Sequence, residues 1–483
     1  MHLPAAVMER ALAGDRDGLR RRWSAAVLTV VVVLALGALA PASSAARAAA
    51  VQWSGYVHTP GLGSDGEGVV TDAAGNAYFA GSIGVAAGDS DWRIFKTNRA
   101  GHHAWDLTWG GAGKYDSAVA IVLDRARGML YVAGVVQDGA GVSRLATMAV
   151  TTGGVKRWVK TYAAPSGQEF DWLQGLGLDR RGNIYVGAAA YDRAASTYTR
   201  GYVLKYARTG KLVWSRGWAP PDSRFVLSAL AVAPSGVVAV TGSDGGDAAT
   251  RDAWTAELTA RGKLAWAQRW TGPGGNFDSG FAAAFGPRGS LYVGGVTYSA
   301  ATRNDALLLK YSAKGALVWQ ATKDGGASLD DSVHYLAVDK AGRAYAGGYG
   351  HHAPVTVSDA MLTPGYSAAG AFRWEQWVDP PVANRGAEVE SLQLSGGRVY
   401  VAGKVQLQDY AQWEGRIASY QTGTGAPAWT LAYSGEPAAP WGACWLNALA
   451  VDGTRGVYVA GSAQRPYGGD PLTWDGYLLR VGH

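Results

Sequence analysis

Asp179-Arg180-Arg181-Gly182-Asn183-Ile184-Tyr185-Val186, then Tyr202-Val203-Leu204-Lys205-Tyr206, then Gly210-Lys211-Leu212-Val213-Trp214, is one copy of a unit that the chain repeats. The tryptophan that ends it recurs as Trp53, Trp105, Trp158, Trp214, Trp266, Trp319, Trp374 and Trp429, 52 to 56 residues apart. A period of that length marks an architecture whose units bury their apolar faces only against one another. Seven of the eight tryptophans follow a glycine by four residues, from Gly101 and Gly154 through Gly210, Gly262, Gly315 and Gly370 to Gly425; Trp53 has Ala49 there.

Each unit reads as four short strands. Asp-x-x-Gly between two apolar stretches suits a type I turn, because the Asp carboxylate accepts turn N–H groups and Gly tolerates positive φ. Where the Asp is lost, as in Ala233-Pro234-Ser235-Gly236, Pro takes the second place, which its fixed φ fits. Second strands carry Tyr78, Tyr131, Tyr185, Tyr292, Tyr345, Tyr400 and Tyr458, with Ala239 the exception, and these rings are expected to fill the interfaces between units. Four strands per unit make a propeller blade. The last unit stops at Tyr477-Leu478-Leu479-Arg480-Val481 without a fourth strand, and Val51-Gln52-Trp53 supplies one. The expected fold is therefore all-β: an eight-bladed β-propeller of four-stranded antiparallel blades, closed by the N-terminal strand pairing into the last blade.

The 483 residues divide into a segment 1–48 and one propeller domain, 49–483. In the first, Arg20, Arg21 and Arg22 precede an apolar run at 25–40 and small residues up to Ala48, the layout of a secretory signal peptide. The expected location is secreted or at the cell envelope, with a membrane partner only if the segment stays uncleaved. Without its six Arg and three acids, 38 basic residues face 35 acidic ones, a balance of +3 that implies no nucleic-acid partner. The single cysteine, Cys444, makes no intrachain disulfide and reads as a small apolar residue.

The unit, Asp-x-x-Gly-Asn-x-Tyr-Val-x-Gly, then Lys-Tyr, then Gly-x-x-x-Trp, resembles the bacterial SBBP-type β-propeller repeat. Through Thr209-Gly210-Lys211-Leu212-Val213-Trp214 it is also similar to the repeat of pyrroloquinoline-quinone (PQQ) propellers. The first resemblance implies a secreted or cell-surface propeller with no particular chemistry. The second implies a vicinal cysteine pair and calcium-ligating acids; this chain has one cysteine and no matching cluster. No cofactor is expected from these residues, PQQ and Ca²⁺ being the two that the resemblance and the acids admit.

Alternating strand direction puts the Asp-x-x-Gly and Gly-x-x-x-Trp turns on one uniform, basic face, with Arg125, Arg180, Arg208, Lys211, Lys263 and Lys340 among its residues. The opposite face gathers the length variation, at 82–90, 189–199, 351–358, 404–413 and 462–474, and is where ligands are expected. At the start of the innermost strands stand channel-mouth carboxylates Asp65, Asp116, Asp171, Asp278 and Asp331, with Phe225, Gly386 and Cys444 in the other blades. A second set, Asp91, Asp252, Asp305, Asp359 and Asp475, precedes the third strands. Each bonds backbone N–H groups of nearby loops, or the ring holds a cation. The pattern fails in blades seven and eight, where Arg385, Glu388 and Glu390 occur and Trp441 and Trp445 flank Cys444, with Trp413 and Trp474 nearby. Those residues form the expected ligand site: tryptophan stacks on a sugar ring while Arg and Glu bond its hydroxyls, unless the tryptophans only bury the ring closure.

Catalytic signatures are absent: no Gly-x-Ser-x-Gly, no phosphate loop, and histidines without metal-ligand spacing, the His102-His103 and His351-His352 pairs included. The leading expectation is a monomeric binding scaffold for an extracellular glycan, wall polymer or protein. The alternative is an extracellular enzyme, a PQQ-type oxidoreductase or a polysaccharide hydrolase or lyase, with its site at the channel mouth.

Overall fold

The computed structural model describes residues 49–57, 62–111, 115–165, 167–219, 224–244, 251–326, 329–352, 360–383, 385–407, 412–435, 443–453, 456–467 and 470–482. The segment 1–48 lies outside them. The described residues form 32 strands, numbered in chain order, in eight four-stranded antiparallel sheets. The first seven blades open with β2 (Ser64–Thr71), β6 (Ser117–Asp124), β10 (Gln168–Leu178), β14 (Phe225–Val232), β18 (Ser279–Phe285), β22 (Ser332–Val338) and β26 (Ala387–Ser395). Blade 8 is β30 (Cys444–Val451), β31 (Val457–Tyr467), β32 (Asp470–Gly482) and β1 (Ala50–Val57). There β1 pairs antiparallel with β32, Trp53 opposite Arg480 and Gly55 opposite Leu478, so the two ends of the chain share one sheet. Every opening strand touches the opening strands of both neighbouring blades, which places these eight around the central axis.

The repeat residues hold one blade to the next. Gly210 sits at φ +82°, in the turn before the fourth strand of its blade, and a Cβ there would lie 2.8 Å from the Trp158 indole of the preceding blade. That indole donates its N–H to the Arg208 carbonyl at 3.0 Å, inside the same turn. Trp53 with Gly101 and Arg99, Trp105 with Gly154 and Thr152, Trp214 with Gly262 and Ala260, and Trp374 with Gly425 and Thr422 repeat the contact. Only a residue without Cβ permits both the backbone conformation and the ring against it. At the ring closure Ala49 takes the place of the glycine, and it and Trp429 both pack against the apolar cluster of blades 7 and 8.

The second-strand tyrosines are buried and lie edge-on or tilted to their own blade's tryptophan, Tyr185 and Trp214 at 6.0 Å between centroids. Their hydroxyls close the Asp-x-x-Gly turns, as Tyr78 does on Asp72 at 2.9 Å, or cross to the next blade, as Tyr292 does on the Gly342 carbonyl at 2.8 Å. The Lys of Lys-Tyr covers the ring: Lys205 Nζ stands 4.9 Å from the Tyr185 centroid and donates to the Ala260 carbonyl that Trp214 also uses. Strands reach further into the variable face than the turn residues suggested; β3 runs Ala77–Ala86, and β31 and β32 enclose only residues 468–469.

Substituting Gly210 by Ala should cost about 2–3 kcal/mol from the left-handed backbone and the displaced indole together. Gly139, with open space around its Cβ position and no positive φ, should accept Ala within about 0.5 kcal/mol. Urea unfolding of the two variants provides the comparison, and equal losses would show that the Gly–Trp contact does not hold the blades.

Candidate functional site

Each opening strand skips one residue in its pairing with the second strand, a β-bulge at the same place in all eight blades. The skipped residues are Glu67, Val119, Gln174, Ser228, Phe281, His334, Glu390 and Asn447. Two positions earlier stand Asp65, Ser117, Trp172, Val226, Ser279, Ser332, Glu388 and Trp445. The residues between the two sets, Leu173, Leu227, Val333, Val389 and Leu446 among them, are fully buried between blades. Side chains alternate along a strand, so both sets face the axis and line the channel. The scaffold is eightfold; the chemistry along its channel is not.

Charge concentrates on one arc, from blade 6 through 7 and 8 to blade 1. His334 Nδ1 lies 2.9 Å from Glu388 Oε1. Lys404, opposite Glu388 on β27 (Arg398–Gln406), pairs with Glu390 and stands 3.7 Å from Glu388. Tyr335 donates to Glu390 Oε2 at 3.3 Å. Its position carries Gly, Ala or Ser in every other blade, so this phenol alone occupies that interface. Asn447 Nδ2 donates to the Gly66 carbonyl at 2.8 Å, joining blade 8 to blade 1. The Lys404 ammonium also lies over two indoles, 5.4 Å from Trp445 and 5.8 Å from Trp413, and Trp445 packs on Trp474 with centroids 4.4 Å apart.

One ammonium cannot neutralise this many acids, and their proton affinities separate. Burial raises Glu388, but Lys404 and His334 outweigh it and hold the carboxyl below its ordinary value. Glu390 is raised, by burial first and by Glu388 next, against the pull of Lys404. Glu67 is raised well above the usual range by burial, Asp65 and Glu390. Lys404 is held protonated, because its two glutamates outweigh the burial of its charge. Neighbouring carboxyls driven in opposite directions are the arrangement from which acid and base roles are made.

The structure brings Glu388, Trp413, Trp445 and Trp474 together around Lys404. Arg385 is half-buried just before β26. Trp441, Asp359 and the side chain of Asp171 lie outside the described residues. The recurrent acids occupy two different registers. Asp116, Asp278 and Asp331 stand three residues before the bulge, where Ser64, Phe225, Ala387 (not Gly386) and Cys444 replace them; Asp65 stands two before it and shares the ring of Glu388 and Trp445. Asp116 accepts N–H groups from Gly111 and, at 2.8 Å, Gln137; Asp278 accepts from Gly272 at 2.6 Å and from Thr297 Oγ1 at 2.6 Å. These buried carboxylates tie the loop entering each blade to its second strand. Glu67, His334, Tyr335, Lys404 and Asn447 emerge only from the structure; aligning opening strands on the bulge is the signal that would have found the first two and Asn447.

A quinone cofactor does not fit these residues. Cys444 is fully buried and bonded to the Tyr477 hydroxyl at 3.1 Å, and burial pushes its thiol up to about 12. It is neither one of a vicinal pair nor a nucleophile. His351 Nδ1 meets the Asp330 carbonyl at 2.8 Å and His352 Nε2 meets Asp379 at 2.7 Å, so the paired histidines turn to different partners.

No protein-family model matches the chain, and no curated protein sequence does. Among solved structures, the WD40 domain of SCAP from fission yeast is similar at a TM-score of 0.45 and 9% identity, over 89% of this chain and 94% of that one. The polysaccharide lyase Uly1 gives 0.43 and 11%, over 75% and 89%. A protein of unknown function from Dyadobacter fermentans gives 0.40 and 12%, over 90% and 99%.

Removing the ammonium tests the electrostatics. Lys404→Met should cost about 3–5 kcal/mol near neutral pH by leaving the buried glutamates unpaired. A carboxyl with a raised folded pKa contributes stability below its unfolded value and loses it as pH rises through the folded one. Most of the deficit should therefore vanish near pH 5. Thermal unfolding of wild type and variant across this range decides it; a deficit independent of pH would assign Lys404 a packing role.

Proposed function

We propose that the chain is an SBBP-type propeller, exported by the signal segment 1–48, that acts as a monomeric scaffold binding an extracellular glycan or wall polymer at the channel mouth of blades 6, 7, 8 and 1. The observation that carries this reading is the local loss of eightfold chemistry. Half-buried Trp445, backed by Trp474, stands beside Glu388 and Lys404 at the end of the channel where the variable loops gather. An indole face packs on the C–H face of a pyranose, and fixed carboxylates accept from its hydroxyls. Asp65, Glu67, Glu388 and Glu390 line this arc beside one lysine among the described residues, so even with Glu67 and Glu390 driven toward their neutral form a neutral or amino-sugar polymer suits the site better than a polyanion.

Acid–base turnover of the same polymer is the second reading. It is favoured by one observation, the opposite shifts of Glu388 and Glu390 within one channel.

A glycan array probed with the full chain should show capture of neutral or amino-sugar glycans. Trp445→Ala should weaken capture at least about tenfold, or ~1.4 kcal/mol, while Trp172→Ala, at the same ring position across the channel, should leave it unchanged. Capture restricted to polyanions, or equal losses in both variants, would reject the site. New chain ends released from the captured glycan, lost in Glu390→Gln with capture retained, would establish turnover; their absence retires it.

A further inference from the structure

We propose that Asp305, Asp324 and Asp331 bind one calcium ion at the seam between blades 5 and 6. Asp305 lies on β20 (Arg303–Tyr311), Asp324 directly follows β21 (Leu317–Lys323), and Asp331 directly precedes β22. One carboxylate oxygen from each lies within 4.8 Å of the other two, close to the spread of three oxygens around a calcium at ~2.4 Å.

A second observation points to a missing partner. Asp305 is 7% exposed, and its buried Oδ1 accepts no hydrogen bond, while Oδ2 takes only the Thr302 hydroxyl at 2.8 Å. Among the described residues none of the three acids pairs with Lys or Arg. Lys323 turns to the Asp324 main-chain carbonyl at 3.0 Å and to Glu375 at 3.3 Å, and Arg303 lies 3.9 Å from Asp330. Asp331 accepts the main-chain N–H groups of Gly325 and His351, both at 2.7 Å. Burial raises Asp305, and it pushes Asp331 up to about 6 although both N–H donors and His351 pull it down.

The neighbouring seam shows what is absent. In blade 4, Arg269 stands across from Trp254 and reaches Asp244 at 2.6 Å and Asp252, the counterpart of Asp305, at 3.7 Å. The equivalent position in blade 5, across from Leu307, is Thr322. The counterparts of Asp324 include Gly110 in blade 1, Thr271 in blade 4 and, in blade 6, Asp379, which has His352 beside it at 2.7 Å. Blade 5 thus carries Thr322 at a position that is Thr108 in blade 1 and Thr161 in blade 2, without the arginine of blade 4, and has one acid more; three oxygen donors without nitrogen or sulfur select a hard divalent ion. This inference is independent of the glycan reading.

The full chain, stripped with EDTA, is titrated with Ca²⁺ by calorimetry and with Tb³⁺ by indole-sensitised emission. Trp377 provides the antenna, its ring 3.1 Å from the Cβ position of Gly350, which itself is 2.2 Å from Asp331 Oδ1. The expected result is one site, with Ca²⁺ affinity in the ~10⁻⁴–10⁻³ M range of extracellular modules, and a higher unfolding temperature with Ca²⁺ than with EDTA. Asp324→Asn, at a half-buried position off the strands, should weaken binding at least about tenfold. Thr322→Arg, which restores the blade 4 arrangement, should abolish binding and stabilise the metal-free chain. No sensitised emission and no Ca²⁺-dependent stabilisation up to about 10 mM, ten times the weak end of that range, or unchanged binding in both variants, would overturn the assignment.

Discussion

The contact between one blade's tryptophan and the next blade's glycine turn is the constraint on which the rest depends. An isolated four-stranded sheet buries too little apolar surface to persist, so each blade must be covered on both faces. The indole of Trp158 does this through shape and through a directed bond, lying where Gly210 has no side chain and donating to the carbonyl two residues before it. Repeated around the ring, the contact sets the spacing and the order of the blades. Ring closure follows the same contact: the last blade is completed by β1, whose Trp53 meets Gly101 of blade 1.

A scaffold held at its periphery leaves its axis free to vary. Nothing in the Gly–Trp contact restricts the residue skipped at each bulge, and those eight positions hold residues as different as Phe281, Gln174 and Glu67. His334, Glu390, Asn447 and Glu67 come from four consecutive blades and meet only because the ring brings their bulges to one arc. Residues nearly 400 apart in sequence thereby share a site: Asn447 donates to Gly66.

The architecture was legible because Gly and Trp are chemically singular and their spacing survives variation in the loops. The two faces followed from strand alternation alone. The channel was less legible because a bulge shifts register by one residue and leaves no mark in the pattern of apolar residues. Hence Asp65 read as the equivalent of Asp116, although it belongs to the ring of Glu388 and Trp445. Lys404 was hidden for another reason: it sits on a second strand, in a position that elsewhere holds Ser82, Ala189 or Tyr349, and a lone lysine in a strand carries no motif. Glu388, Glu390 and the tryptophans around Cys444 were found as departures from the repeat, a criterion that works only where the repeat is exact enough to depart from.

Buried acids are treated in three ways in this ring. Asp116 and Asp278 receive backbone and hydroxyl donors, which suits a residue that recurs because its loop recurs. Asp244, Glu169 and Glu390 each face a cationic side chain, Arg269, Arg193 and Lys404, so a blade that gains an acid there has also gained its base. Asp305 and Asp324 are served less fully: Asp305 takes the Thr302 hydroxyl on one oxygen and nothing on the other, Asp324 takes the Gly326 N–H, and neither faces Lys or Arg among the described residues. A buried carboxylate oxygen left without a donor is costly, and the blade that carries Asp305 Oδ1 has Thr322 where its neighbour has Arg269. The seam after blade 1, with Thr108 at the position of Thr322, holds two acids, Asp91 and Asp116. The third acid of the seam between blades 5 and 6, Asp324, stands where blades 1 and 4 have Gly110 and Thr271; the acid at that place in blade 6, Asp379, has His352 beside it, and Asp324 has no Lys or Arg partner among the described residues.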